Sequence, residues 1–338
     1  MSDAMVQNSP ETVQPVLSVR NLKVSFEGPK GRAVAVDNIS FDVRPGEMLA
    51  LVGESGCGKS TVALSLMKLL ASPPAIIEGS VYVKGREIFN LSKEEISKVR
   101  GKEMAMIFQQ PMTSLNPVLT IERQLTEGLM LHEGLTRKQA RERARENLDL
   151  VGIPSANERL NQYPHQLSGG MRQRVMIAMA MSCKPSILIA DEPTTALDVT
   201  TQAQILALMS GLQDEFGIST ILITHDLGVV AETANRVAVM YAGRIVETAT
   251  SNDLFSNPSH PYTRGLLGAV PRLDALLSGD DMPSRLREIP GNVPSAGPAV
   301  PGCPFAPRCD RVKDRCHTQR PTPVELAPGH IVSCWEYA

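Results

Sequence analysis

Residues 53–60 read Gly-Glu-Ser-Gly-Cys-Gly-Lys-Ser, a G-x-x-x-x-G-K-[ST] loop, and the chain on either side supplies the context such a loop needs. The apolar run Met48 to Val52 stops at Gly53, as a buried strand entering a glycine-rich turn does. After Lys59-Ser60-Thr61, the run Val62 to Met67 opens an apolar helix. Gly53, Gly56 and Gly58 let the backbone curl so that successive N–H groups converge on phosphate, and the helix N-terminus adds partial positive charge. Lys59 is expected to reach the β- and γ-phosphates and Ser60 to ligate Mg²⁺, with Ser55 and Thr61 completing the loop. Cys57 also lies in it. A thiol at a helix N-terminus tends toward a lowered pKa, so alkylation of Cys57 is expected to block nucleotide binding and ATP to protect it. The plainer reading is a passive small residue.

Other polar residues stand at strand ends. Ile187 to Ala190 is an apolar strand ending in Asp191-Glu192. Asp191 is placed to hold Mg²⁺, and Glu192 to polarise an attacking water, work that needs a carboxylate near the γ-phosphate. The strand Ile218 to Thr224 ends in His225-Asp226, where ligands bind in open α/β sheets. A neutral imidazole there is able to hydrogen-bond the γ-phosphate. Gln109 follows Met106-Ile107-Phe108, and its amide both accepts from water and coordinates Mg²⁺. On its own it carries no interpretation.

At 338 residues, 42% hydrophobic, the chain can build one large core and a smaller attachment. A net charge of −2 gives no nucleic-acid footprint. No uncharged apolar stretch is long enough to span a membrane, and the polar N-terminus lacks a signal-peptide core. Residues 1–14 are expected to be a disordered tail of a chain that stays in the cytoplasm. Leu17 to Phe26, Ala33 to Val43 and Val81 to Val83 alternate as half-buried antiparallel strands do, and Arg236 to Val246 reads as two short strands around Ala242-Gly243. From about 110 to 166 the pattern is helical and charged, densest over Arg137 to Glu146. Beyond about 250 the chain turns Pro-rich and a separate tail begins.

Together these residues resemble the ATP-binding cassette (ABC) family over roughly 15–250. Residues 53–61 match its phosphate loop, Gln109 its glutamine loop, Leu167-Ser168-Gly169-Gly170-Met171 its signature and Ile187 to Glu192 its acidic strand. Thr195-Ala196-Leu197-Asp198 matches the loop lining the dimer seam, His225 the switch histidine, and Phe26 the aromatic that stacks on adenine. The family signature usually ends in Gln where this chain has Met171; Ser168, Gly169 and Gly170 carry the phosphate contacts, so function is expected to survive. The resemblance implies an α/β P-loop fold with an antiparallel β-subdomain and a helical insertion at about 110–180 that docks on a membrane partner. It also implies two cassettes meeting head to tail, each ATP clamped between the phosphate loop of one and Ser168, Gly169 and Gly170 of the other.

Four of the six cysteines, Cys303, Cys309, Cys316 and Cys334, fall in the tail with the spacing C-x5-C-x6-C-x17-C. A disulfide framework does not suit a reducing compartment. The spacing lacks the C-x2-C knuckles of structural zinc and leaves room for a larger cluster such as [4Fe–4S]; zinc and unliganded thiols remain the alternatives. The metal is expected to lock a tail with too little apolar content to fold alone, redox sensing being the lesser alternative. The stretches His260 to Leu267 with Ala269-Val270-Pro271, and Cys303 to Cys309, resemble the C-terminal extension of oligopeptide/dipeptide importer ATPases, assigned here to 251–338. That resemblance implies two permease subunits, an extracytoplasmic peptide-binding protein and a second, related ATPase at the cytoplasmic face of the membrane. The same engine importing nickel or another small solute is one alternative. A soluble ABC ATPase without a membrane partner is the other.

Overall fold

The computed structural model describes residues 14–29, 31–109, 114–195, 197–269, 289–294, 297 and 300–338. The expected N-terminal tail falls, but for Gln14, outside the described residues, as do Ala196, Val270 and Pro271.

Two sheets frame the molecule. Strands β1 (Leu17–Gly28), β2 (Gly31–Val43), β4 (Ala75–Val83) and β5 (Arg86–Glu87) form an antiparallel sheet in the order β2-β1-β4-β5. Alternate residues of β1 point inward, Leu17 and Val19 being fully buried, as a one-sided sheet requires. The larger sheet takes β3 (Met48–Val52), β6 (Met104–Ile107), β7 (Ile187–Asp191), β8 (Ser219–Thr224), β9 (Arg236–Tyr241), β10 (Arg244–Thr250), β11 (Val324–Ala327) and β12 (His330–Val332). Its order is β11-β12-β10-β9-β3-β8-β7-β6. Its β6, β7, β8, β3 and β9 run parallel, and β3, β7 and β8 are buried throughout, so apolar residues dominate them without a polar alternation.

The period of two divides the core. Ile187 and Ile189 face the antiparallel sheet and α1 (Lys59–Leu66), while Leu188 and Ala190 face the helical insertion. After α2 (Lys93–Val99), that insertion comprises α3 (Ile121–Glu133), α4 (Arg137–Leu150), α5 (Ala156–Leu160) and α6 (Gly169–Met181), packed on one another. Thr120 and Thr136 start α3 and α4 by accepting hydrogen bonds from the backbone N–H of Arg123 and Gln139. Helices α7 (Val199–Phe216) and α8 (Leu227–Thr233) follow β7 and β8.

The tail is not a separate appendage. After α9 (Ser251–Ser256) and α10 (Pro261–Gly268), the chain passes α11 (Asp314–Thr318) and returns as β12, which pairs with β10 at Glu247–Val332 and Thr248–Ile331. Buried Phe305 closes an aromatic triangle with Tyr241 of β9 and Tyr262 of α10, the ring centroids lying 4.6–5.5 Å apart. The fully buried carboxylate of Glu247 accepts from the backbone N–H groups of Ser259 and His260 and meets His330 Nε2 at 2.8 Å. Sheet pairing, an aromatic seat and a buried carboxylate thus tie the tail to the core, alongside any metal that the cysteine spacing leads one to expect.

Candidate functional site

The site lies at the C-terminal ends of β3, β6, β7 and β8, where the parallel strands release their chains into loops. The loop after β3 is pressed against the rest of the protein. A Cβ on Gly53 would lie 2.2 Å from the Met240 carbonyl oxygen, and one on Gly58 would lie 2.5 Å from that of Ala35. Both have positive φ, so only glycine fits either position. Lys59 is buried, and its Nζ donates to the carbonyls of Gly53 at 2.7 Å and Glu54 at 3.0 Å. Ser60 Oγ donates to Asp191 Oδ1 at 3.2 Å, which joins the loop to the end of β7.

Three side chains from three segments meet on Glu192. Gln109 Nε2 donates to Oε2 at 2.8 Å, Thr195 Oγ1 donates to Oε2 at 2.9 Å, and His225 Nδ1 lies 3.3 Å from Oε1. Glu192 itself has φ 47°, an uncommon backbone for a glutamate, held by its N–H donating to the Ile223 carbonyl of β8. The two acids are tuned apart. Burial pushes the Asp191 carboxyl up, and the Glu192 charge adds to that against Ser60 and Lys59. Burial also works to raise Glu192, but the hydrogen bonds from Thr195, His225 and Gln109 outweigh it and the net shift is downward. The Ser60 hydroxyl, the Asp191 carboxylate and the Gln109 amide are hard oxygen donors suited to Mg²⁺, and a cation there would offset the cost of the buried Asp191 charge.

Cys57 departs from expectation. It is 1% exposed, and burial pushes its thiol pKa up, with Lys59 opposing. The apolar packing of the loop outweighs the helix N-terminus that the lowered pKa relied on. Phe26 is half-buried on β1, packed against the core beneath it.

The signature residues occupy a different surface. Ser168 caps α6 by accepting from the Met171 N–H, and Ser168 and Gly169 are exposed. Met171 packs against the insertion's core, so the departure from the usual Gln leaves that helix opening intact. Asp198 caps α7 by accepting from the Thr201 N–H.

The four tail cysteines, together with Arg311 and Lys313, line one small cavity. Cys309, Cys316 and Cys334 each accept a backbone N–H on sulfur, from Arg311, Lys313 and Glu336, at 3.4–3.5 Å. Burial pushes the Cys303 and Cys334 thiols up, and Cys309 up to about 11. Among the described residues, however, no group of three or more His, Cys, Asp or Glu side chains is placed to hold a metal ion. The arrangement brings the four thiols round one cavity without gathering them on one point, so it does not by itself show the expected [4Fe–4S] cluster or zinc.

Sequence reasoning missed Thr195 as a partner of Glu192, although it stands three residues on in the same loop, and it missed every contact between the tail and the phosphate loop.

Comparison with known proteins agrees with this geometry. The ABC transporter family matches residues 36–195, and the "Oligopeptide/dipeptide transporter, C-terminal region" family matches residues 246–316. A probable peptide ABC transporter ATP-binding protein of Sinorhizobium fredii is 51% identical over 95% of this chain and 94% of its own length. The oligopeptide transport ATP-binding protein AppD of Bacillus subtilis is 50% identical over 95% and 97%, and the dipeptide transport protein DppD of the same organism 51% over 96% and 95%. Among solved structures, the dimeric ABC transporter cassette MJ0796 superposes with a TM-score of 0.62 at 28% identity, covering 70% of this chain and 98% of that one. Its post-hydrolysis state bound to ADP and phosphate superposes equally well, at 29% identity. The chain belongs to the ABC transporter family, as an ABC ATPase of the branch that carries the oligopeptide/dipeptide transporter C-terminal region.

Proposed function

We propose that this chain hydrolyses ATP to power the uptake of oligopeptides or dipeptides through partner permeases. The observation that carries the chemistry is the meeting of Gln109, Thr195 and His225 on Glu192, beside Lys59, Ser60 and Asp191. In this reading the loop N–H groups of 53–61 cradle the phosphates and Phe26 stacks on adenine. Lys59 leaves its carbonyl partners for the β- and γ-phosphates. Glu192, kept ionised by its three donors, takes the proton of the attacking water. His225 and Gln109 hold the γ-phosphate end and the carboxylate in register. Mg²⁺ would be held by Ser60, Asp191 and Gln109 and would supply charge neutralisation at the β- and γ-phosphates. Ser168 and Gly169, exposed at a helix N-terminus, would with the half-buried Gly170 reach the γ-phosphate on an opposing cassette; Asp198 would line the seam.

The cassette is taken to run over 15–250, with its helical part at 110–180, and the extension over 251–338. Peptide cargo is supported by the match of 246–316 and by the names of the relatives. No helix among the described residues is long and apolar enough to cross a membrane, so the path for cargo would belong to two permease subunits, fed by an extracytoplasmic binding protein. Val118 and Leu131, 75% and 68% exposed on the insertion, suit docking on such a partner at the cytoplasmic face. The second cassette would be a relative of this chain.

The four tail thiols are proposed as the ligands of a [4Fe–4S] cluster, with zinc as the alternative. Support comes from their shared cavity, the N–H donors on three of the sulfurs and the flanking cations. Iron, sulfide and zinc per chain after anaerobic purification test this; absence of all three removes the metal. The function is tested by reconstituting the chain with its permeases and binding protein and measuring labelled dipeptide and oligopeptide uptake. ATP-dependent peptide accumulation is expected. Accumulation of nickel without peptide would overturn the cargo.

A further inference from the structure

Among the described residues, the C-terminal extension grips Glu54 of the phosphate loop in two ways. The Arg308 guanidinium donates to both carboxylate oxygens, Nη1 to Oε2 at 2.8 Å and Nη2 to Oε1 at 3.1 Å. The Tyr262 hydroxyl accepts the Glu54 backbone N–H at 2.9 Å. The third polar group of the residue, its carbonyl, accepts from Lys59 Nζ at 3.0 Å. Glu54 therefore joins the tail to the lysine that meets the phosphates.

We propose that Arg308 and Tyr262 are positioning residues for ATP binding, holding the phosphate loop through Glu54 so that nucleotide affinity depends on the seated tail. The geometry has the rigidity this needs. The Arg308 side chain is only 5% exposed, and its remaining donors are bound: Nε to the Pro290 carbonyl at 2.8 Å, Nη2 to that of Ile289 at 3.2 Å and Nη1 to the Tyr241 hydroxyl at 3.4 Å. Tyr262 is fully buried in the aromatic triangle with Tyr241 and Phe305. A planar fork saturated in this way fixes its carboxylate in direction as well as distance, which a lysine would not do. Glu54 stands inside the loop that wraps phosphate, so an anchor on it lowers the ordering cost of binding.

The inference rests on the reading of 53–61 as the phosphate loop, and the test separates the two. Affinity of the purified full chain for MgATP is measured by calorimetry for the unsubstituted protein and for Lys59→Ala, Glu54→Gln, Tyr262→Phe, Arg308→Lys and Arg308→Ala. Trp335, the single tryptophan, stacks under Arg315 in the tail and reports tail integrity by fluorescence in the same samples. Expected are loss of binding in Lys59→Ala and roughly tenfold weaker binding in Glu54→Gln and Arg308→Ala, with no further loss when the two are combined. Arg308→Lys should recover part of the affinity, and Tyr262→Phe should weaken it with the Trp335 signal unchanged. If Arg308→Ala disturbs the Trp335 signal, Glu54→Gln decides, since it leaves Arg308 its other acceptors. Unchanged affinity in Glu54→Gln while Lys59→Ala loses binding would overturn this proposal alone. Unchanged affinity in Lys59→Ala would overturn the phosphate-loop reading and this proposal with it.

Discussion

His225 Nδ1 lies 3.3 Å from Glu192 Oε1, across the ends of the neighbouring strands β8 and β7. The pair links a group able to sense the γ-phosphate to the carboxylate proposed to activate water. In the proposed mechanism, a displacement of either strand end would change this distance, one of three contacts on the Glu192 carboxylate.

That contact carries a pH prediction. Three hydrogen bonds hold the Glu192 carboxyl below the ordinary glutamate value of 4.5 despite its partial burial. A depressed pKa keeps the base ionised at neutral pH and contributes stability that is lost only as pH falls through the folded value. The acid limb of kcat/KM due to Glu192 should therefore lie below about pH 4.5, with no loss from this group between pH 6 and 8. Thr195→Val removes one donor and should move that limb upward. A pH–rate series on both proteins checks this; identical acid limbs would contradict it.

Cys57 should resist alkylation. It is buried and its thiol is raised by that burial, so iodoacetamide at pH 7.5 should label it far more slowly than the half-buried Cys309 and Cys334, with or without ATP. Peptide mapping by mass spectrometry measures the rates. Fast labelling of Cys57 that ATP blocks would restore the reactive loop thiol.

Phe305→Ala should unseat the tail. Removing a buried ring from the triangle with Tyr241 and Tyr262 should cost about 3–5 kcal/mol of stability in the tail region. Thermal unfolding followed by Trp335 fluorescence should show a lowered or separate transition. An unchanged profile would mean that the aromatic triangle is not what seats the extension.

The nucleotide site was legible because its chemistry is written in short, local spacings. Gly53 to Ser60 needs a strand before it and a helix after it, and Asp191-Glu192 and His225 each end an apolar run, while Gln109 acquires a reading only beside them. Thr195 was not legible as a partner of Glu192, since a threonine three residues on has many uses. The burial of Cys57 depends on the close approach of the Gly53 and Gly58 backbone to Met240 of β9 and Ala35 of β2, partners far off in sequence. The Pro-rich composition beyond about 250 makes the tail read as separate. What joins it to the core is Val332 beside Glu247, Phe305 against Tyr241 and Arg308 on Glu54, pairs far apart in sequence that no periodicity reveals.

ATP hydrolysis by the reconstituted transporter carrying Glu192→Gln tests the account most directly. The substitution keeps the shape of the side chain and removes its charge. The account predicts that ATP binding is retained, that hydrolysis and peptide uptake fall together by roughly 10²-fold or more, and that the paired cassettes stay closed on ATP. Hydrolysis at the unsubstituted rate would remove Glu192 as the base and contradict the account.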